Sequence, residues 1–479
     1  MLGSLTSVVA MLNIIERVAM KKTLICGGLV VTKDTIGKYD ISIVGEQIEA
    51  LKIHGEFSAA DFDEVIDAND LIVMPGLVEP HVHFDAPFMG GKTDHDMLTG
   101  TKACAYGGIT SVISFSNQGK GESLVQNVKD WDKNNSGRAY VDWSMHGLIY
   151  DASELSLHDI PELIKLGIPT YKCFTTYRHS QRLMDDDSML KVLKTTKENG
   201  GMLMVHCEHD ATCEYLKEKA ITEGHTEWIY HAKTRPARAE DMAIQRVVDL
   251  MRTENAPVYI VHASTADSVR IIAQAQTDGL PIHAETCTHY MLLTDKMLER
   301  DDGYLWVCSP PLRQAHDLER LWNAAKMGPI EVVSSDDAGL PSQMRRDLCE
   351  GRFDKVPNGM PGVEPRLTML YSKGVREHHI DLQKMVALTS TNPAKLFGLK
   401  NKGCLAPGAD ADICLFDPNI EWTMTASTLH MNTTFCPFEG ERVVGKAKTV
   451  LCRGEVVLRD YELVGSPAHG QRVFRELEY

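Results

Sequence analysis

No stretch of this sequence stays apolar for the roughly 20 residues that a membrane-spanning helix needs. The nearest approach, in MLGSLTSVVAMLNII, is too short and has no Lys or Arg before it, so it matches neither a spanning helix nor a signal peptide. Residues 1–19 are expected to be an extension ahead of the fold, which starts at KKTLICGG. CxxC pairs are also missing, and the 12 cysteines are scattered singly. That distribution reads as the reduced thiols of a cytoplasmic protein, most of them buried as small hydrophobes. Basic charge is not in excess either. With 50 Lys and Arg against 66 Asp and Glu, the net charge of −16 argues against nucleic acid or an anionic membrane as partner.

What is present is an ordinary globular composition, 43% hydrophobic and 24% charged, over 479 residues. That length exceeds one average core, although a single barrel reaches about 250 residues. A large barrel with a smaller satellite domain fits. From residue 75 to 395, β-rich runs alternate with helical segments such as SMLKVLKTTKENG, EDMAIQRVVDLMRT and TADSVRIIAQAQTDG. Such alternation predicts parallel βα units closing into a (β/α)8 TIM-like barrel. Towards the two ends, TLICGGLVV and TVLCRGEVV repeat one pattern, and both read as β-hairpins around a Gly-containing turn. Flanked by KYDISIVGEQIEAL and GADADICLF, the two ends are expected to combine into a small β-sandwich. The expected division is residues 20–74 and 396–460 for the sandwich, 75–395 for the barrel, and 461–479 as a tail suited to a subunit contact.

Residues that carry chemistry fall where the apolar runs end. LIVMPGLVEP leads into His81 and His83, which an extended strand would project side by side. GIPTY leads into Lys172, GMLMV into His206, PVYIV into His262, and IEVVSS into Asp336. The active site of a parallel barrel lies at the C-terminal ends of its strands, so all these positions converge on one mouth. Each histidine alone reads as a hydrogen-bonded residue at a strand end; their shared placement points to metal. Four histidines and one aspartate exceed the three protein ligands usual for one catalytic zinc, which indicates two ions. A free lysine is cationic and would repel them. On residue chemistry Lys172 is therefore a surface or ion-paired lysine, unless CO2 converts it to a bridging carbamate.

In order along the chain stand PGLVEPHVHFDAPFMGG, TYKCFTTY, MLMVHCEH, GHTEWIYHAKTRPARAE, YIVHAS, AETCTHY, CSPPLR, VVSSDDAG, PNGMPGVEPR, TSTNPAKLFGL and GADADICLFDP. Together they resemble the cyclic-amidase branch of the amidohydrolase superfamily, the dihydropyrimidinases and D-hydantoinases. The resemblance covers nearly the whole chain after its first twenty residues. It implies the same barrel with a composite β-sandwich, and two divalent ions, usually zinc, held by His81, His83, His206, His262 and Asp336. Lys172, carboxylated, would bridge them, which reverses the reading from residue chemistry. The implied reaction is hydrolysis of a cyclic amide by a hydroxide shared between the ions, with Asp336 moving the proton. Tyr177 would stabilise the oxyanion, and Ser309 and Asn358 would lie where the ring's amide edge is bound. The resemblance also implies a homotetramer.

Two positions depart from the family pattern: Asp337 follows Asp336 where a His is usual, and His206 is followed by Cys207-Glu208-His209 instead of Ala-Glu-Asn. Both changes are expected around the ligands and not among them, and His209 is an additional ligand only if its segment turns helical. Cys173 and Cys207 point away from the ligands and are expected to pack. Phe88 and Met89 read either as an apolar wall for the ring's exocyclic substituent or as core. Allantoinase is the alternative within this chemistry. Dihydroorotase ranks below it for want of an anchor for a substrate carboxylate, and a non-catalytic scaffold would have lost its ligands.

Overall fold

The computed structural model describes residues 20–88 and 91–478. Eight parallel strands follow one another around the barrel: β1 (Leu77–Val82), β2 (Ile109–Ser116), β3 (Asp142–Leu148), β4 (Thr170–Phe174), β5 (Met202–His206), β6 (Val258–Ile260), β7 (Ile282–Cys287) and β8 (Val332–Ser334). Covered on both faces, they are rich in Val, Ile, Leu and Met. Ile113, Phe115, Met202, Met204 and Tyr259 fill the interior, closed from below by Ala394, Phe397 and Leu399. Outside, Val192, Leu193, Ile244 and Val247 dock helices Asp186–Glu198 and Ala237–Glu254 onto the strands. A bridge from Val82 to Asp337 closes the seam, where the His83 amide donates to the Asp337 carbonyl at 2.8 Å.

The apolar run ahead of His81 is divided between two domains. Ile72–Pro75 joins the small domain and Leu77–Val82 starts the barrel. Gly76 makes the crossing, because a Cβ there would lie 2.2 Å from Thr110 Oγ1.

The chain ends do combine, in a sheet of 10 strands. Ile72–Pro75 pairs antiparallel with residues 413–416, and a shared core of Ile25, Ile41, Ile43, Val73, Ile413 and Leu451 draws on both segments. TVLCRGEVV forms the expected hairpin, Arg442–Cys452 against Glu455–Arg459. TLICGGLVV does not. Lys22–Cys26 and Leu29–Val31 both pair with Ile36–Val44 and not with each other. The Asp40 carboxylate accepts the Gly27 amide at 3.0 Å, and that glycine has φ +84°, so the turn carries the chain to a new register along the same partner strand.

A buried ion cluster ties this sheet to the barrel base. Lys402 Nζ is 2.8 Å from both Asp142 and Asp412, and Arg453 Nε is 3.0 Å from Asp142. Asp142, Asp412 and Cys452 are close enough together to hold an ion, but the lysine and arginine already balance the carboxylates. Within the tail, residues 470–476 run along the barrel of their own chain. Arg475 is wholly buried and donates to Ser144 Oγ at 2.9 Å and Thr170 Oγ1 at 3.0 Å. Of this stretch Phe474 stays 60% exposed. All 12 cysteines are free thiols, and among the described residues no helix is long and apolar enough to cross a membrane.

Candidate metal centre

At the end of β1, His81 and His83 stand with ring centroids 5.4 Å apart. Their Nε2 atoms reach Asp336 Oδ1 at 3.0 and 3.3 Å. Asp336 lies just past β8 with φ 46°, and His262 just past β6 with φ 42°. Such left-handed backbone is costly for a non-glycine residue and gathers at functional sites. His206, the last residue of β5, sets its Nδ1 3.0 Å from His262 Nε2. Lys172, on β4, is not a surface lysine. It is 2% exposed, with Nζ 2.8 Å from His81 Nε2. The mouth therefore collects the histidines, Asp336 and Lys172 as the strand ends predicted.

Burial lowers the Lys172 pKa, which favours the neutral amine. Burial also brings His83 down to about 4. Burial alone would raise Asp336, but His81, His83 and His262 outweigh it and keep the carboxylate well below its usual range. Burial likewise lowers His206 and His262. These neutral imidazoles with an ionised carboxylate form a donor set that suits a divalent ion of zinc type. Burial and Lys172 lower His81 too, but Asp336 and Glu285 outweigh them and raise it. His262 Nδ1 is buried without a hydrogen-bond partner among the described residues.

The ligands are held from behind by residues that the sequence reading missed. Glu285 on β7 accepts from His81 Nδ1, which turns His81 Nε2 towards the mouth, and it accepts the Tyr259 hydroxyl at 3.0 Å on its other oxygen. Glu208 accepts from His206 Nε2 at 2.9 Å and pairs with Arg235. A carboxylate inside an apolar strand, as in PIHAETC, was the available signal for Glu285.

Tyr177, also left-handed at φ 74°, follows β4. Burial raises its pKa, while Arg235, Ser309 and Asn358 pull it the other way. Asn358 Nδ2 donates to Ser309 Oγ at 2.8 Å, so these two residues and the tyrosine share one corner. The loop carrying Asn358 needs glycine next, because a Cβ on Gly359 (φ +138°) would meet the Ala338 carbonyl at 2.4 Å. With Lys172, Phe174 and Arg182 they line a cavity of about 160 Å³ over the ligands. That compares with the ~150 Å³ that holds a benzene ring.

The departures from the family pattern resolve away from the ligands. Asp337 accepts from His95 Nδ1 at 2.8 Å and from the Gly362 and Val363 amides at 2.7 and 3.0 Å, so its carboxylate secures the seam of the barrel. His209 caps helix Asp210–Thr222, its Nδ1 accepting the Thr212 amide at 3.3 Å, and is no ligand. Cys173 and Cys207 pack in the outer core. The Phe88 side chain and Met89 lie outside the described residues.

The profile of the Amidohydrolase family matches residues 72–457. The D-hydantoinase of Geobacillus stearothermophilus is 40% identical over 456 residues, 94% of this chain and 96% of that protein. The D-hydantoinase of Streptomyces coelicolor is 36% identical, over 94% and 97%. The crystal structure of dihydropyrimidinase from Brevibacillus agri superposes with a TM-score of 0.92 at 39% identity, covering 95% of this chain and 99% of that one. Fold, ligand geometry and sequence agree: this chain belongs to the amidohydrolase family, beside its hydantoinases and dihydropyrimidinases.

Proposed function

We propose that this protein is a metal-dependent cyclic amidase that opens dihydropyrimidines and 5-substituted hydantoins. The observation that carries this is the convergence of His81, His83 and Asp336, within 4.8 Å of one another, below a ring-sized cavity. Lys172 beside His81 and the His206–His262 pair extend the donor set enough for two ions. Bound there, two divalent ions, zinc in this reading, supply a nucleophile at neutral pH and polarise the scissile carbonyl. His81, His83, His206, His262 and Asp336 would hold them, joined by Lys172 once carboxylated.

The chain's own residues then do the following. Asp336 takes a proton from the attacking water and returns it to the leaving ring nitrogen. The Tyr177 hydroxyl donates to the oxygen of the opening carbonyl. Ser309 and Asn358 hold the amide edge of the ring. The reading includes a homotetramer in the cytoplasm.

The test is a spectrophotometric panel of dihydrouracil, hydantoin, phenylhydantoin, allantoin and dihydroorotate, with zinc-replete protein supplied with bicarbonate. Opening of dihydrouracil or a hydantoin is expected. Its absence from protein whose Lys172 is carboxylated by mass spectrometry overturns the reading. Absence of stoichiometric metal would instead mark a scaffold.

A further inference from the structure

Outward from the metal centre the cavity widens into a second chamber between the loops after β2, β3 and β4. Asn117, Lys120, Tyr150, Gln181 and Arg182 line it, and none of its described lining residues is acidic, although the chain carries a net charge of −16. His179 also reaches it but turns to Glu214 at 3.1 Å. Lys120 and Arg182 are the permanent cations among its described lining residues.

Arg182 belongs to both chambers. Its guanidinium carbon lies 5.7 Å from the Tyr150 ring centroid and 6.0 Å from that of Phe174. The Phe174 ring in turn lies 5.6 Å from Lys172 Nζ and 5.5 Å from the His206 ring. Arg182 thus stands one aromatic ring away from the ligand residues. Because Arg182 lines both chambers, an arm that extends outward from a ring over the mouth passes this guanidinium, and guanidinium binds carboxylate through two parallel hydrogen bonds.

We propose that the outer chamber selects cyclic amides whose exocyclic arm ends in a carboxylate, with Arg182 receiving the carboxylate and Lys120 adding attraction at the rim. This rests on the cyclic-amidase reading above and names its substrate class. The proposal places the carboxylate on a short carboxyalkyl arm that reaches from the inner chamber into the outer one, and not on the reacting ring itself.

The experiment compares kcat/KM of the full-length, zinc-replete protein for two hydantoins of equal size, one with a 5-carboxyethyl arm and one with the neutral 5-carbamoylethyl arm. The wild type is expected to favour the carboxylate by about tenfold, as a charge-assisted hydrogen bond in a half-buried site allows. The preference should shrink with added salt, fall towards parity in Arg182→Gln and invert in Arg182→Glu. A wild type indifferent to the charge, or a preference that survives in both variants at full metal content, overturns the proposal. Dihydroorotate favoured over dihydrouracil by more than the arm effect overturns the placement of the anchor. A wild type that opens none of these rings overturns the cyclic-amidase reading and this proposal with it.

Discussion

The Arg235 guanidinium lies 5.2 Å from the Tyr177 ring centroid and is ion-paired with Glu208. One cation thus joins the tyrosine at the cavity wall to the carboxylate that orients His206. Burial would raise the Glu208 pKa, but Arg235 and His206 bring it to about 2, so the pair is ionised at neutral pH. Arg235→Met would strand a buried carboxylate, at a cost of about 3–5 kcal/mol. Combined with Glu208→Leu, the loss should be clearly smaller than the sum of the two single losses in urea denaturation. Additive losses would separate the two residues.

Lys172→Ala should release most of the metal, measured by elemental analysis, and short carboxylates should restore part of the activity. Metal content equal to the wild type would remove Lys172 from the bridging position.

For Asp336→Asn, metal should largely remain while turnover disappears, because the amide holds position but moves no proton. Substantial residual turnover would move proton transfer to another residue.

Acid stability should be governed in part by two buried histidines that are not candidate ligands. His231 Nε2 donates to the Cys308 carbonyl at 2.7 Å, and burial with Arg235 nearby lowers its pKa to about 3. His146 Nε2 donates to the Pro80 carbonyl at 2.9 Å, and burial, aided by Arg475, lowers its pKa well below normal. Both are neutral in the folded chain, and the unfolded chain protonates them below pH ~6.5. Stability is therefore retained above that pH and lost as pH falls below it, at about 1.4 kcal/mol per pH unit for each histidine. His231→Asn should flatten the slope between pH 6.5 and 5, read from urea midpoints, by about that amount; an unchanged slope contradicts the assignment.

At the barrel base, Lys402→Met leaves Asp142 and Asp412 without a cation that stands 2.8 Å from each. A loss of about 3–5 kcal/mol is expected. A loss under ~1 kcal/mol, the range of exposed pairs, would mean that Arg453 alone neutralises the cluster.

The candidate ligands are readable in the sequence because each stands in or just after an apolar run, and a parallel barrel brings the C-terminal ends of its strands to one mouth. His81, Lys172, His206 and Asp336 are readable for that reason. Glu285 is not, because its role depends on a histidine 204 positions away. Asp337 is expected around the ligands and not among them, but its partner is not legible: the seam between β8 and β1 turns its side chain towards His95. His209 was weighed as a ligand, and it caps a helix instead. TLICGGLVV shows the limit for strands. Local pattern placed both segments in a sheet, but their partner is Ile36–Val44, chosen by tertiary packing.

The pairing of Ile72–Pro75 with residues 413–416 has a consequence for biosynthesis. A ribosome adds about 5–20 residues per second. The early strand therefore waits on the order of tens of seconds for its mate, with the barrel strands emerging in between. Arg475, which fills the barrel base, is translated later still. The ligands thus leave the ribosome well before the scaffold that fixes their geometry is complete. A chain that stalls beforehand presents unpaired β-strand edges, the surfaces that chaperones cover.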